Sequence, residues 1–224
     1  IDPKNVLSAY FTSIHQAINN KDIPKNSRYV EKSVDNVEYA IDLAQIFPDA
    51  KFIHLVRNPY ANVVSLRKFK SRNFGAPLIF RLLDTLKTSY YFLHRNSNII
   101  AHYKIITYED LVMHPEKIIP KLASFLNIEE NKLLYQPTLL GKSWKGNSSR
   151  GEKLNKISTH SVNQFTKDIH PIEIYYVNRL FNFILNKYDY KKIPFNGGFW
   201  NPLKGENPGR YLANRFYKYY LVEE

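Results

Sequence analysis

The chain has 224 residues, enough for one domain with a substantial core, and 44% of them are hydrophobic. It contains no cysteine, which excludes disulfides, thiolate zinc sites and a cysteine nucleophile, and no apolar run approaches the ~20 residues that span a bilayer. A formal net charge of +12 predicts attraction to anions: a nucleotide, an acidic saccharide, nucleic acid or a membrane surface.

Hydrophobic periodicity predicts an alternation of helices and strands. Helices are expected over residues 6–19, 37–47, 59–72, 78–95 and 115–126, and strands over residues 51–56 and 104–107. Pro120 predicts an irregularity in the last of these helices. Strands that alternate with helices pair in parallel with helices on both faces, which indicates the α/β class. Residues 136–161 are polar and have little periodicity, which favours a functional cover over a linker.

The most informative stretch is residues 51–65, KFIHLVRNPYANVVS. Arg57 ends a predicted buried strand, Asn58 can cap the following helix, and Pro59 suits its first turn. A guanidinium and free backbone N–H groups converge at such a strand–helix junction, so the pattern predicts a phosphate site. The alternative is a solvated arginine that closes a sheet, and local geometry alone favours that alternative.

The same stretch resembles the 3′-phosphate-binding motif of sulfotransferases that use 3′-phosphoadenosine-5′-phosphosulfate, because a serine follows the arginine by eight positions. The resemblance implies that Arg57 and Ser65 hold the 3′-phosphate. Residues 103–115, YKIITYEDLVMHP, resemble the family's strand and turn ending in Tyr-Glu-Asp-Leu, which implies that Tyr108 lies beside the adenine. The implied fold is a P-loop-like parallel sheet flanked by helices on both faces, with the nucleotide at the strand C-termini.

Residues 28–36, RYVEKSVDN, resemble a strand and turn that the family writes as Glu-Lys-Thr/Ser-Pro, although Val34 stands where proline is common. The resemblance implies that Lys32 contacts the sulfonate and has the catalytic role. The alternative is an exposed lysine at a strand end, which is equally expected from the usual distribution of lysine.

Residues 141–149, GKSWKGNSS, resemble the late loop that closes over the nucleotide. A glycine flanked by donors suits close backbone approach to an anion, while the alternative is an ordinary polar turn. The side chains expected to contact the nucleotide are Lys145, Asn147 and Ser148. Residues 157–180 resemble the helical stretch that follows this loop, and the whole resemblance runs from about Tyr29 to Tyr190.

One motif of the family is not found. Its 5′-phosphosulfate loop has the form Pro-Lys/Arg-Ser-Gly-Thr-Thr, but residues 24–27 lack the glycine, and residues 141–143 lack the earlier glycine and strand of a triphosphate loop. We therefore expect the chain to be roughly the C-terminal three-quarters of a longer protein, with residues 1–192 as a sulfotransferase-like domain that lacks this loop. Residues 193–224 are expected to form an aromatic extension, either a lid or a packing arm. A degenerate relative without transfer chemistry is the alternative.

The expected activity is sulfonate transfer from the phosphoadenosine donor to a hydroxyl of a carbohydrate or small metabolite, with no metal. The base is left open between Glu31, Asp35 and, less favoured because it lies in a buried strand, His54. A catalytically inactive module that binds nucleotide or an anionic glycan is the alternative of the same fold.

A nucleic-acid-binding domain is the third hypothesis, since basic residues interleave with 17 Tyr and 14 Phe. Against it, the basic residues are spread along the chain. The densest run, residues 67–72, continues the Ser65 helix, where a nucleotide site would draw its positive field. We expect no specific nucleic-acid partner, no membrane span and a cytoplasmic location, and the sequence leaves the oligomeric state open.

Overall fold

The structure, a computed structural model, describes residues 2–24, 27–74, 79–139, 142–143 and 157–195. In chain order the elements are α1 Pro3–Asn19, α2 Asn36–Ile46, β1 Phe52–Val56, α3 Pro59–Phe74, α4 Ile79–Ile99, β2 Tyr103–Thr107, α5 Tyr108–Met113, α6 Pro115–Leu126, β3 Thr138–Leu139, β4 Lys142–Ser143, α7 Pro171–Leu180 and α8 Asn182–Lys187. Short 3₁₀ helices occupy Lys132–Tyr135 and Gln164–Lys167. The helices and strands predicted from hydrophobic periodicity are present with shifts of a few residues at their ends.

Two of the strands, β1 and β2, pair in a small parallel sheet, while β3 and β4 form a short antiparallel pair with Thr138 opposite Ser143. The predicted α/β class is confirmed. Strand β1 is less buried than expected: Val56 is 2% exposed, but Ile53 and Leu55 are 41% and 47% exposed. Since side chains alternate along a strand, these two residues share one face, and helices of the described chain cover that face only in part.

The chain divides into two compact units. The first comprises Ile1–Phe52 and Phe92–Lys104 and holds α1, α2 and the end of α4. Asn96 is fully buried there and donates through Nδ2 to the carbonyl oxygen of Val37 at 2.7 Å. Residues 28–33 contain neither helix nor strand, so the strand predicted before α2 is absent. The physical reason is that no strand of the described chain pairs with this segment.

The second unit comprises Ile53–Tyr91 and Ile105–Glu224. Its core lies where α3 packs against α7 and the 3₁₀ helix Gln164–Lys167. Tyr60 is fully buried and stacks on Phe165 with ring centroids 6.1 Å apart. Helix α6 continues through Pro120, since proline in the second turn removes one backbone hydrogen bond without ending the helix. No helix in the described ranges is long and apolar enough to cross a bilayer.

Candidate nucleotide site

The N-terminus of α3 is capped by protein groups. Asn58 Oδ1 accepts from the backbone N–H of Tyr60 at 3.0 Å, which confirms the predicted cap. The backbone N–H of Asn58 in turn donates to Glu109 Oε1 at 3.0 Å, and Pro59 has no N–H. The expectation of free backbone N–H groups here is therefore wrong at these three residues. The guanidinium of Arg57 is then the candidate anion-binding group at the end of β1.

Arg57 lies at this strand–helix junction, and its neighbours in the described chain do not use all of its N–H donors. Its guanidinium lies over the Tyr108 ring, 4.7 Å from the centroid, and Nη2 donates to the carbonyl oxygen of Ser161 across a long 3.4 Å. Its Nε is buried and has no hydrogen-bond partner within the described residues. The Tyr90 hydroxyl donates to the Arg57 carbonyl oxygen at 3.2 Å, which holds the backbone where β1 ends.

Tyr108 and Ser161 complete the cluster. Tyr108 is the first residue of α5, a helix that Thr107 caps by accepting from the N–H of Asp110 at 3.1 Å. The Tyr108 hydroxyl and Ser161 Oγ share a hydrogen bond of 2.6 Å. The end of β1, the start of α5 and the segment before Gln164–Lys167 thus bring one cation and two hydroxyls together. Ser161 was missed from the sequence, where it is only the last residue of a polar stretch.

Two cations of the basic run that was expected to supply the field of the site, Arg67 and Lys68, pair with acidic side chains. Arg67 is 3% exposed and pairs with Glu173, with 2.7 Å between Nε and Oε1. Lys68 Nζ lies 2.9 Å from Asp168 Oδ2. The expectation that residues 67–72 direct their charge to a nucleotide is therefore wrong for these two cations, because acidic side chains of the same unit take them up.

Comparison with known proteins decides the family. The model of the sulfotransferase family matches residues 1–132, more than half of the chain. The chain belongs to the sulfotransferase family. It is also 34% identical over 121 residues to protein-tyrosine sulfotransferase 1 of Danio rerio. That alignment covers 50% of this chain and 32% of the Danio protein, so the aligned part amounts to about a third of that relative's length.

A solved structure with a TM-score above 0.5 supports the fold of this sulfotransferase-family chain. The sulfotransferase domain of the Synechococcus PCC 7002 olefin synthase superimposes with a TM-score of 0.56 at 18% identity, covering 84% of this chain and 65% of that one. The sulfotransferase domain from the curacin biosynthetic pathway gives a TM-score of 0.49 at 20% identity, covering 94% and 68% of the two chains. The resemblance read from the sequence is confirmed at the level of family and fold.

The other predicted contacts of the family stay predictions. Ser65 is half-buried on α3, about 9 Å along the helix axis from Pro59 at the usual rise per residue. It shares a helix face with Asn58 and Asn62, at i, i+4 and i+7 spacing. Lys32 is exposed in the first unit. Three of the expected nucleotide contacts lie outside the described residues: Lys145, Asn147 and Ser148.

The candidate bases differ in their surroundings. Burial lowers the pKa of His54 to about 4, so its imidazole is neutral near pH 7 and only weakly basic. Glu31 and Asp35 are exposed, and the Glu31 carboxylate accepts from the Asn36 side chain. Within the ranges that the structure describes, no three acidic or histidine side chains cluster closely enough to hold a metal ion.

Proposed function

We propose that this chain binds 3′-phosphoadenosine-5′-phosphosulfate with the 3′-phosphate at Arg57 and transfers the sulfonate to an acceptor hydroxyl. Membership of the sulfotransferase family supports the reaction class. The observation that carries the proposal is the state of Arg57, a half-buried cation with a buried Nε that lacks a partner in the described chain. A phosphate supplies acceptor oxygens for such a donor, and charge-assisted hydrogen bonds of this kind are strong.

The residues around Arg57 fit a nucleotide. One face of Tyr108 stacks against the guanidinium, and the rest of the ring suits the proposed place beside the adenine. Ser65 on α3 is the proposed second contact to the 3′-phosphate. Closure over the ribose and phosphates is assigned to the loop side chains Lys145, Asn147 and Ser148, which the family motif supports.

The donor supplies an activated sulfonate, and the chain's own part is to position it and to balance charge. Sulfonate transfer resembles phosphoryl transfer, in which charge spreads over the equatorial oxygens and positioning with electrostatics does most of the work. Lys32 is the proposed cation at the sulfonate. Glu31 or Asp35 is the proposed base for the acceptor hydroxyl, because both side chains are exposed, whereas the imidazole of His54 is largely buried.

The proposed acceptor is the hydroxyl of a carbohydrate or small metabolite. A second candidate is the hydroxyl of a protein tyrosine, which the similarity to protein-tyrosine sulfotransferase 1 of Danio rerio favours. In either case the formal net charge of +12 favours an acceptor with acidic groups. We place the reaction in the cytoplasm, as proposed from the sequence.

Transfer of radiolabelled sulfonate from the donor to four acceptors tests the proposal: a neutral sugar, an acidic saccharide, a small alcohol and an acidic tyrosine peptide. Transfer to one class that Arg57→Ala abolishes identifies the acceptor and supports the site. Arg95→Ala is the matched control, because Arg95 also stacks on a ring, that of Phe92 at 4.4 Å, and donates to a backbone carbonyl. Nucleotide binding without any transfer, even when the expected upstream phosphosulfate loop is restored, would instead make the chain an inactive binding module.

A further inference from the structure

Residues 161–170, called the strap, run from the candidate nucleotide site along α3 to the start of α7. At one end Ser161 meets Arg57 and Tyr108. In the middle Phe165 is buried and stacks on Tyr60 of α3. At the other end the strap runs into α7, whose first residue is Pro171. The position of Ser161 therefore depends on how the far end of the strap is held.

Arg67 of α3 holds that far end through three hydrogen bonds. Its Nε donates to Glu173 Oε1 at 2.7 Å, and its Nη2 donates to Glu173 Oε2 at 3.3 Å and to the carbonyl oxygen of Asp168 at 2.6 Å. Glu173 Oε2 also accepts from the backbone N–H of His170 at 2.8 Å. The Arg67 guanidinium thus bonds directly to the strap backbone at Asp168. It also holds the backbone at His170 indirectly, through the Glu173 carboxylate.

The burial of the Arg67–Glu173 pair indicates that it positions the strap rather than adding stability to the fold. Glu173 is fully buried and Arg67 nearly so, and a buried ion pair often contributes no more stability than apolar residues of the same volume. Apolar packing between α3 and the strap is already supplied by Tyr60 and Phe165. The planar guanidinium adds directional contacts, since it holds two acceptors at the same time, the Glu173 carboxylate and the Asp168 carbonyl oxygen. A ring of contacts then closes from Arg57 along α3 to Arg67, across to the strap, and back through Ser161 to Arg57.

We propose that Arg67 is a positioning residue of the nucleotide site: it holds the strap in the register that places Ser161 against Arg57 and Tyr108. Arg67 acts without touching the nucleotide. The identity of the ligand rests on the proposed function, while the coupling between Arg67 and Ser161 rests on the contacts above.

Arg67→Lys tests the coupling, with Lys68→Met as the matched control. Lysine keeps the charge of Arg67 and loses the fork, so it cannot hold Glu173 and the Asp168 carbonyl together. Lys68 pairs with the Asp168 carboxylate, whereas Arg67 bonds to the Asp168 backbone carbonyl. The side chains of Lys68 and Asp168 are 26% and 27% exposed. Two quantities are measured for each variant: hydrogen exchange of the amides in residues 157–170, and calorimetric affinity for adenosine 3′,5′-bisphosphate. For Arg67→Lys we expect exchange to rise about tenfold or more at the strap while the amides of α3 stay protected, and affinity to fall about tenfold.

The second measurement is a double-mutant cycle between two residues that do not touch. Ser161→Ala alone should lower the affinity, and in the Arg67→Lys background it should lower it by less than about twofold, because the hydroxyl is already displaced. Lys68→Met should leave strap exchange and affinity as in the wild type.

The outcomes separate this inference from the proposed function. If the wild type does not bind the bisphosphate but Arg67→Lys still loosens the strap alone, the proposed function fails and the positioning role of Arg67 stands. If the wild type binds and Arg67→Lys binds equally well with unchanged strap exchange, the inference is overturned and the site assignment is retained. Fully additive losses in the double-mutant cycle would also overturn it.

Discussion

The Arg57 guanidinium lies 4.7 Å from the centroid of the Tyr108 ring, and both side chains contact Ser161, which is 104 and 53 residues away along the chain. The cation is thus fixed over an aromatic ring while its Nε stays without a partner in the described chain. Side chains held in this way lose little further freedom on binding, so the cluster is preorganised for an anion.

The Tyr108 hydroxyl orients Ser161, and the Tyr108 ring supports Arg57. Tyr108→Phe keeps the ring and should weaken binding of adenosine 3′,5′-bisphosphate by about 2- to 10-fold, the usual effect of one hydrogen bond. Tyr108→Leu also removes the cation–π contact and should weaken it further. Calorimetry measures both affinities. Tyr135→Phe is the control, because the Tyr135 hydroxyl also donates a hydrogen bond, to the carboxylate of the exposed Glu130. Unchanged binding in Tyr108→Leu would contradict the assignment.

Glu109 joins the start of α3 to Tyr190. Its carboxylate accepts from the backbone of Asn58 at 3.0 Å and from the Tyr190 hydroxyl at 2.8 Å. Glu109→Gln should lower the free energy of unfolding by about 1–2 kcal/mol, because a charge is lost at a helix N-terminus together with charge-assisted bonds. Urea denaturation measures the change. Glu116→Gln is the control, since Glu116 also lies in a first helical turn but its side chain is 63% exposed. Equal losses would show that Glu109 has no special role.

His54 should make stability depend on pH in the acid range. Burial lowers its pKa in the folded state to about 4, against 6.5 for the free side chain, so protonation favours unfolding. The contribution of neutral His54 to the free energy of unfolding is complete above pH 6.5 and is lost as the pH falls toward 4. This contribution amounts to about 3 kcal/mol. His54→Gln should remove this part of the pH dependence when urea unfolding is followed from pH 7 to 4. The exposed His160→Gln should retain it. Identical slopes for His54→Gln and the wild type would contradict the effect.

Two buried tyrosines should make stability fall at alkaline pH. Burial raises the pKa of Tyr90, and burial with the hydrogen bond to Glu109 raises the pKa of Tyr190. The folded state therefore keeps protons that the unfolded state releases above pH 10, so stability is complete below that pH and declines above it. A Tyr90→Phe, Tyr190→Phe double variant should show a flatter decline between pH 9 and about 11.5. The exposed Tyr91→Phe should decline like the wild type.

Local sequence pattern predicted most elements of the fold. Apolar periodicity placed α3 at residues 59–72 against Pro59–Phe74 in the structure, and the Asn58 cap was correct. The strand expected before α2 is absent, because a strand exists only where a partner pairs with it, and pairing is not written in local composition. The exposure of Ile53 and Leu55 was missed for a similar reason, since burial is set by neighbouring elements.

The site was only half accessible to sequence reasoning. Arg57 and Tyr108 were predicted from family motifs, and in the structure the Arg57 guanidinium stacks on the Tyr108 ring. Ser161 was missed because its partners lie far away in sequence. Arg67 was expected to add to the positive field of a nucleotide site, whereas it pairs with a glutamate 106 residues away that neutralises its charge. The sequence shows the sign of a side chain's charge, but it does not show which distant side chain pairs with it.

Calorimetric titration with adenosine 3′,5′-bisphosphate and with 5′-AMP, at two salt concentrations, tests the central claim most directly. The account predicts one-to-one binding of the bisphosphate, at least about tenfold weaker binding of 5′-AMP, and loss of that difference in Arg57→Ala but not in Arg95→Ala. Moderate weakening at the higher salt is expected for a single phosphate contact. Equal affinity for the two nucleotides, or a preference that survives in Arg57→Ala, would contradict a 3′-phosphate site at Arg57.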